Sequence, residues 1–213
     1  MLLLVLNLVL VIFAYAAPST APPSNRSPCV DGVNNVIHIS DTDDASKTIH
    51  VHDVIAQTYD AYGNPSCSGG SPAVSFPGHI RLVRGTIVVD ALNPDLKEAE
   101  VDLTLKKKSI IIGWICYDGV AKKRQVPEEF CHHSIYPYIG DALLQMLSTP
   151  GTYDLEKMEK EAHCSSVIQL PTLSKKFNKI VKGRWRAELA LTLNGRKLAH
   201  IKAPSTTTWL YFN

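Results

Sequence analysis

Residues 184–202 read RWRAELALTLNGRKLAHIK and predict a β-hairpin. Every second residue from Trp185 to Leu193 is apolar, and most residues between them are polar, which is the period of a strand with one buried face. Asn194-Gly195 tolerates the positive φ angles of a two-residue hairpin loop, so residues 196–202 are expected to return antiparallel to the first strand. The apolar face of this hairpin needs a second apolar layer, which the preceding chain must supply.

Further strands are predicted on both sides of this hairpin. The segments with a strand-like pattern are residues 33–39, 48–55, 101–106, 167–170 and 207–212. Residues 79–89 also alternate, but their parity changes between Leu82 and Ile87, which predicts a bulge near Gly85. Residues 109–116 form a continuous apolar run, which is typical of a strand covered on both faces.

One helix is predicted, over residues 138–147, because its apolar residues recur three and four positions apart. Residues 57–77 are rich in Gly, Ser and Pro and are predicted to be a loop. About eight short strands with one short helix indicate an all-β fold, a two-sheet antiparallel sandwich or cup, rather than an α/β enzyme core.

The amino-terminal residues predict export. Residues 2–13 are almost wholly apolar and precede Ala14-Tyr15-Ala16, so residues 1–16 resemble a secretory signal peptide. Residues 17–28 form a Pro/Ser-rich leader, in which Asn25 opens the glycosylation sequon Asn25-Arg26-Ser27. Residues 29–213 are then expected to be one domain of a secreted protein.

The charge balance and the cysteine count limit the classes of function that the chain can have. A net charge of +2 from 22 basic and 20 acidic residues argues against a nucleic-acid-binding protein. Each basic residue at positions 122–124 and 175–182 would gain about 1 kcal/mol of binding free energy near an anionic membrane. A charged, solvated rim of the fold explains these residues equally well. Five cysteines in a secreted chain imply disulfides with one thiol left over: Cys29, Cys67, Cys116, Cys131 and Cys164.

No catalytic or metal-binding motif stands out. The sequence has no phosphate-binding loop, nucleophile elbow or zincin motif. Cys131-His132-His133 invites a metal or nucleophile interpretation, but no second Cys/His pair lies at zinc-ligand spacing. His50-Val51-His52 places two imidazoles on one face of a strand, but the sequence fixes no carboxylate or third histidine nearby. We therefore expect a protein that is not an enzyme and that needs no metal or other cofactor.

Several short segments resemble, in order, the ganglioside activator proteins of the wider ML (lipid-recognition) group. The resemblance covers residues 29–39 and most of the chain from Phe76 onward. The matching segments are Cys29-Val30-Asp31-Gly32, Phe76-Pro77-Gly78-His79-Ile80, residues 101–107, Ile115-Cys116-Tyr117-Asp118, Phe130-Cys131, Gly151-Thr152-Tyr153-Asp154-Leu155, Leu193-Asn194-Gly195-Arg196-Lys197-Leu198 and Ile201-Lys202.

The resemblance implies a β-cup whose apolar cavity takes the acyl chains of a glycolipid or phospholipid. Such a protein extracts glycosphingolipids from a membrane, which it contacts transiently, and presents them to a soluble lysosomal glycosidase, so the location would be secreted or lysosomal. The cavity candidates are Val101, Leu103, Leu105, Ile110, Ile112, Trp114, Trp185, Leu189 and Leu191. The residues expected in a membrane-facing loop are Tyr138, Ile139, Leu143 and Met146.

The chain departs from the family pattern at its cysteines. His200 stands where the family carries the partner of its first cysteine, and residues 44–75 resemble an insertion that adds Cys67. We therefore predict a Cys29–Cys67 disulfide, while Cys131 is left to bond Cys116 or Cys164. Two rival functions remain, an extracellular ML-type lipid-recognition protein in signalling or defence without a hydrolase, and a hydrolase that uses Cys131 or a histidine pair.

Overall fold

The computed structural model describes residues 29–42, 45–94, 96–136, 139–206 and 209–213. The predicted signal peptide, the leader with Asn25, and Tyr138 lie outside the described residues. The strands are β1 Val36–Asp41, β2 Ile49–Asp60, β3 Cys67–Ser68, β4 Ser71–Val74, β5 Gly78–Val89, β6 Glu100–Lys107, β7 Trp114–Tyr117, β8 Val120–Ala121, β9 His132–Ser134, β10 Gly151–Asp154, β11 Val167–Leu170, β12 Gly183–Leu193, β13 Arg196–Ala203 and β14 Leu210–Phe212. The helices are α1 Glu128–Cys131, α2 Asp141–Ser148, α3 Leu155–Ala162 and α4 Lys175–Val181, with a 3-10 turn at Leu96–Glu98.

The strands form one open, curled sheet, which confirms that the fold is mostly β. Its main path runs β10-β5-β2-β1-β13-β12-β14-β4-β3, and β6 lies beside β12 and carries β7 and β9. Strand β1 connects the two halves because residues 36–39 pair with β2, whereas Ser40 and Asp41 pair with β13. The strands outnumber the eight predicted, and the described residues hold four α-helices instead of one.

The predicted final hairpin is present. Asn194 and Gly195 have φ angles of 51° and 76° and turn β12 into β13, as the sequence predicts. The inner face of β12 carries Leu189 and Leu191, which are 2% and 1% exposed. Thr192 on the other face is also buried, and its hydroxyl donates a hydrogen bond to Asp102 Oδ2 at 3.2 Å. The outer face is therefore less hydrated than expected.

The predicted bulge at Gly85 is also present. His52 lies opposite Thr86 and Ile55 opposite Arg84, so two residues of β2 face Gly85 alone. A Cβ atom at Gly85 would lie 3.0 Å from Val54 Cγ2, so the two strands pack closely at the bulge. A second irregularity follows on β5, because Ile55 lies opposite Arg84 and Ala56 opposite Leu82, which leaves Val83 as an extra residue. This extra residue changes the inward-facing parity of β5 and lets both halves of the strand bury their apolar residues.

Three local predictions were wrong. Residues 109–113 form a turn and not a strand, because Gly113 takes a φ of 58° and its N–H donates to Ser109 O at 3.1 Å. The predicted loop at residues 57–77 contains the end of β2 and all of β4, which pairs in parallel with β14 from the far end of the chain. Helices α1, α3 and α4 were not predicted. Helix α2 overlaps the helix predicted at residues 138–147 and ends one residue later.

Candidate functional site

An apolar pocket lies between the bulged part of the sheet and the helices. Its walls come from β1, β2, β5 and β13 on one side and from α2, α3 and the chain after α3 on the other. The cavity volume is about 60 Å³, which is enough for a few water molecules but less than the 150 Å³ or so that holds benzene. The apolar lining residues are Ile39, Val51, Val54, Leu82, Ile87, Leu143, Leu155, Met158 and Ile201.

Helix α3 forms part of one wall of this pocket. Asp154 caps its first turn by accepting a hydrogen bond from the N–H of Lys157 at 2.8 Å. None of its residues is fully buried, although Leu155 and Met158 face the pocket. Met158 and Ala162 are nevertheless partly buried and pack against the core.

The cavity residues predicted from the sequence lie elsewhere. Val101, Leu103, Leu189 and Leu191 pack together in the core where β6 and β12 pair, and each is at most 2% exposed. Leu105 and Trp185 are partly buried beside them, and the indole N–H of Trp185 donates to Val181 O at 2.6 Å. None of these six residues lines the pocket described above.

The turn between β6 and β7 forms an exposed apolar tip, which we define as residues 109–113. Ile110 and Ile111 are 106% and 89% exposed, and Ile112 is partly exposed. Ile110 therefore does not face the interior as predicted, because the turn directs it into solvent. Lys106 and Lys108 precede the tip and Trp114 follows it, so basic and aromatic side chains flank the apolar ones. Lys107 between them is buried and donates a hydrogen bond to Ile180 O.

Three of the four residues predicted to face a membrane are found in the core. Ile139, Leu143 and Met146 are buried, because helix α2 packs its apolar side against the sheet. The signal that could have identified the tip instead is Gly113, since a glycine after a short apolar run favours a turn over a strand. None of the described helices is long and apolar enough to cross a membrane.

The cysteines form two disulfides. Cys29 is bonded to Cys67, as predicted, and Cys116 is bonded to Cys131, which decides between the two partners left open for Cys131. A bonded Cys131 has no thiolate, so the Cys131 nucleophile hypothesis fails in this oxidised form. Cys164 is free, lines the pocket, and has its pKa raised by burial.

Three histidines near the β6 and β12 strands have shifted pKa values. His132 Nδ1 lies 2.5 Å from Asp102 Oδ1, and this hydrogen bond raises the pKa of His132. Burial lowers the pKa of His133 and that of His200, whose Nε2 is 3.1 Å from Glu188 Oε2. The described residues include no cluster of three or more His, Cys, Asp or Glu side chains that could hold a metal ion.

Comparison with known proteins leaves the family open. No model of a known protein family matches the chain, and no curated protein matches it. The similarity to ganglioside activators therefore stays a prediction.

Proposed function

We propose that this protein is a non-enzymatic lipid-binding and lipid-transfer protein that contacts a membrane through the exposed tip. The curled sheet acts as a β-cup, and the pocket beside α3 is where an acyl chain enters it. The observation that carries the proposal is the tip, where two isoleucines are fully exposed between lysines and a tryptophan. An exposed pair of large apolar side chains on a loop favours insertion into an apolar phase.

The physical chemistry of the tip fits reversible membrane contact. Burying an isoleucine side chain gains about 1.5–3 kcal/mol, so Ile110 and Ile111 together supply about 3–6 kcal/mol on entering the acyl region. Lysines remain at the headgroup level while tryptophan and tyrosine sit at the membrane interface. This anchor is strong enough to hold the protein at a surface and weak enough to release it.

The pocket supports lipid extraction. An acyl chain gains about 0.8 kcal/mol per CH₂ on leaving water, but the bilayer already supplies this, so transfer into an apolar pocket is nearly neutral. The present cavity of about 60 Å³ is too small for a chain, so loading requires α3 to move away from the bulged strands. Contacts to the headgroup then determine which lipid is taken.

Two charge-introducing variants test the membrane contact. Ile110→Asp with Ile111→Asp is expected to reduce binding to phosphatidylcholine vesicles by at least about 100-fold, because the gain from burying both side chains is lost. Both residues are exposed, so the melting temperature is expected to stay unchanged. Leu92→Asp is the matched control, since Leu92 is 67% exposed away from the tip.

Cys164 supplies a direct test of pocket occupancy in the native protein. A lipid in the pocket covers this thiol, so vesicles of the correct lipid are expected to slow its reaction with a small thiol reagent. Transfer of a fluorescent glycolipid between liposomes is measured in parallel. Unchanged vesicle binding by the tip variant, or Cys164 labelling that no lipid slows, would contradict the proposal.

The ganglioside-activator hypothesis adds a partner glycosidase to this activity, while the signalling or defence hypothesis does not. Both share the tip and the pocket. Addition of a purified lysosomal glycosidase to loaded protein separates them, because only an activator increases the rate at which the bound glycolipid is hydrolysed.

A further inference from the structure

A run of three basic residues, Lys122-Lys123-Arg124, lies in the segment between β8 and α1. The chain holds four runs of adjacent basic residues, and the other three are residues 106–108, 175–176 and 196–197. The first of these three begins in β6, the second lies in α4 and the third lies in β13. Only the run at residues 122–124 lies wholly outside helices and strands.

The backbone around Arg124 is accessible. Lys122, Arg124 and Gln125 are exposed, and Lys123 and Val126 are partly exposed. The N–H of Val126 donates to Lys123 O at 2.9 Å, which forms a single turn. Within the described part of the chain, the N–H groups of Arg124 and Gln125 donate to no acceptor. A protease must draw its substrate into an extended conformation, so an exposed segment with few backbone hydrogen bonds is cut more readily than a helix or a paired strand.

The Cys116–Cys131 disulfide encloses this segment. Cys116 lies on β7 before it and Cys131 ends α1 after it, and their Cα atoms are 5.5 Å apart. The chain after Arg124 returns to the sheet at β9, which pairs with β6 from the chain before Arg124. A break after Arg124 therefore interrupts no helix or strand, and both the disulfide and the β6–β9 pairing hold the two parts together.

We propose that the peptide bond between Arg124 and Gln125 is a cleavage site for serine proteases that recognise paired basic residues. The product is a two-chain protein joined by the Cys116–Cys131 disulfide. Water adds across the bond, which leaves a carboxyl group on Arg124 and an amino group on Gln125. Carboxylates in the pockets of the protease receive the Arg124 guanidinium and the Lys123 ammonium, since a guanidinium forms paired hydrogen bonds with a carboxylate.

The signal peptide predicted at residues 1–16 would bring the chain into the secretory route, where proteases of this class act. The order of the two residues before the bond, lysine and then arginine, occurs in none of the other three basic runs. The cleavage does not depend on the proposed lipid binding.

The test incubates the full chain, without reductant, with a subtilisin-type protease specific for paired basic residues. Wild-type protein is expected to be cut once, so its intact mass increases by the mass of one water while it remains a single species. Reduction is expected to release two fragments, one ending at Arg124 and the other beginning at Gln125. Arg124→Gln is expected to slow this cleavage at least about 100-fold, because a protease pocket built for a guanidinium is left without its partner.

Arg196→Gln is the matched control, because Arg196 is an exposed arginine of another basic pair, held in β13. This variant is expected to be cut at the wild-type rate, and both variants are expected to melt at the wild-type temperature because both arginines are exposed. An uncut wild-type protein, a first cut at another basic run, or an Arg124→Gln variant cut at the wild-type rate would overturn the proposal. Fragments that separate without reductant would also overturn it. Cleavage is measured without vesicles, so it is distinguished from any failure of membrane contact or lipid transfer.

Discussion

Replacing Leu191 and Met158 separately by alanine distinguishes the core from the ligand pocket. Leu191 lies opposite Val101 on β6 and opposite Ala199 on β13, and all three residues are at most 1% exposed. Met158 lines the pocket on α3, where no residue is fully buried. The first substitution is expected to reduce stability and the second to reduce lipid transfer.

The expected magnitudes differ by several kcal/mol. Leu→Ala in a close-packed core costs about 2–5 kcal/mol, from lost burial and from the cavity left behind. For a domain of this size each kcal/mol lowers the melting temperature by about 2–4 °C, so Leu191→Ala should lower it by about 4–20 °C. Met158→Ala should cost about 1 kcal/mol or less, since the side chain borders space that is already unfilled.

The measurements are chemical denaturation, thermal melting and transfer of a fluorescent glycolipid between liposomes. Leu191→Met serves as the control, because a volume-conserving substitution in the core costs less than about 1.5 kcal/mol. If Leu191→Ala unfolds with nearly wild-type free energy but no longer transfers lipid, Leu191 borders the ligand. The cavity predicted from the sequence would then replace the pocket beside α3.

Two further predictions concern stability. The free energy of unfolding should decrease as the pH falls below about 6.5. In the folded protein, burial lowers the pKa values of His133 and His200, so in acid these two histidines bind protons more readily in the unfolded chain. His133→Phe should reduce this loss in denaturation curves at about pH 5 and about pH 7.5, and an unchanged pH dependence would contradict the assignment. Removing the Cys116–Cys131 disulfide, which closes a separation of 15 residues, should cost about 3 kcal/mol, whereas Cys164→Ala should cost far less. Equal losses in the two cysteine variants would show that the crosslink does not stabilise the fold.

The parts of the fold that the sequence predicted are determined locally. The final hairpin follows from alternation and from Asn194-Gly195, which are read within twenty residues. The bulge at Gly85 follows from a parity change inside one strand. Strand β4 could not be found in this way, because its partner β14 lies more than 130 residues later and its own segment has a loop-like composition.

The histidine at position 132 has the opposite effect on acid stability from its neighbour. Its pKa is raised mainly by the hydrogen bond to Asp102, so its contribution is present below about pH 6.5 and is lost as the pH rises through the higher folded-state pKa. The ring is 43% exposed, so the pair contributes no more than about 1 kcal/mol. His133, directed to the inner face beside Val101, works against it in acid. The two adjacent histidines therefore change the stability of the fold in acid in opposite directions, because the strand places their side chains on opposite faces of the sheet.

The pairing of Lys106 with Arg186 could not be predicted from the sequence because it depends on the register of β6 and β12. Lys106 and Arg186 are 80 positions apart in the chain, and nothing near either residue specifies that they lie opposite one another. The register is determined by the inner face, where Leu103 lies opposite Leu189 and both are buried. A slip of one residue in either strand would direct the leucine of that strand outward and its cation inward, at a prohibitive cost in burial. The packing of the core thus determines which charged residues lie opposite one another on the outer face.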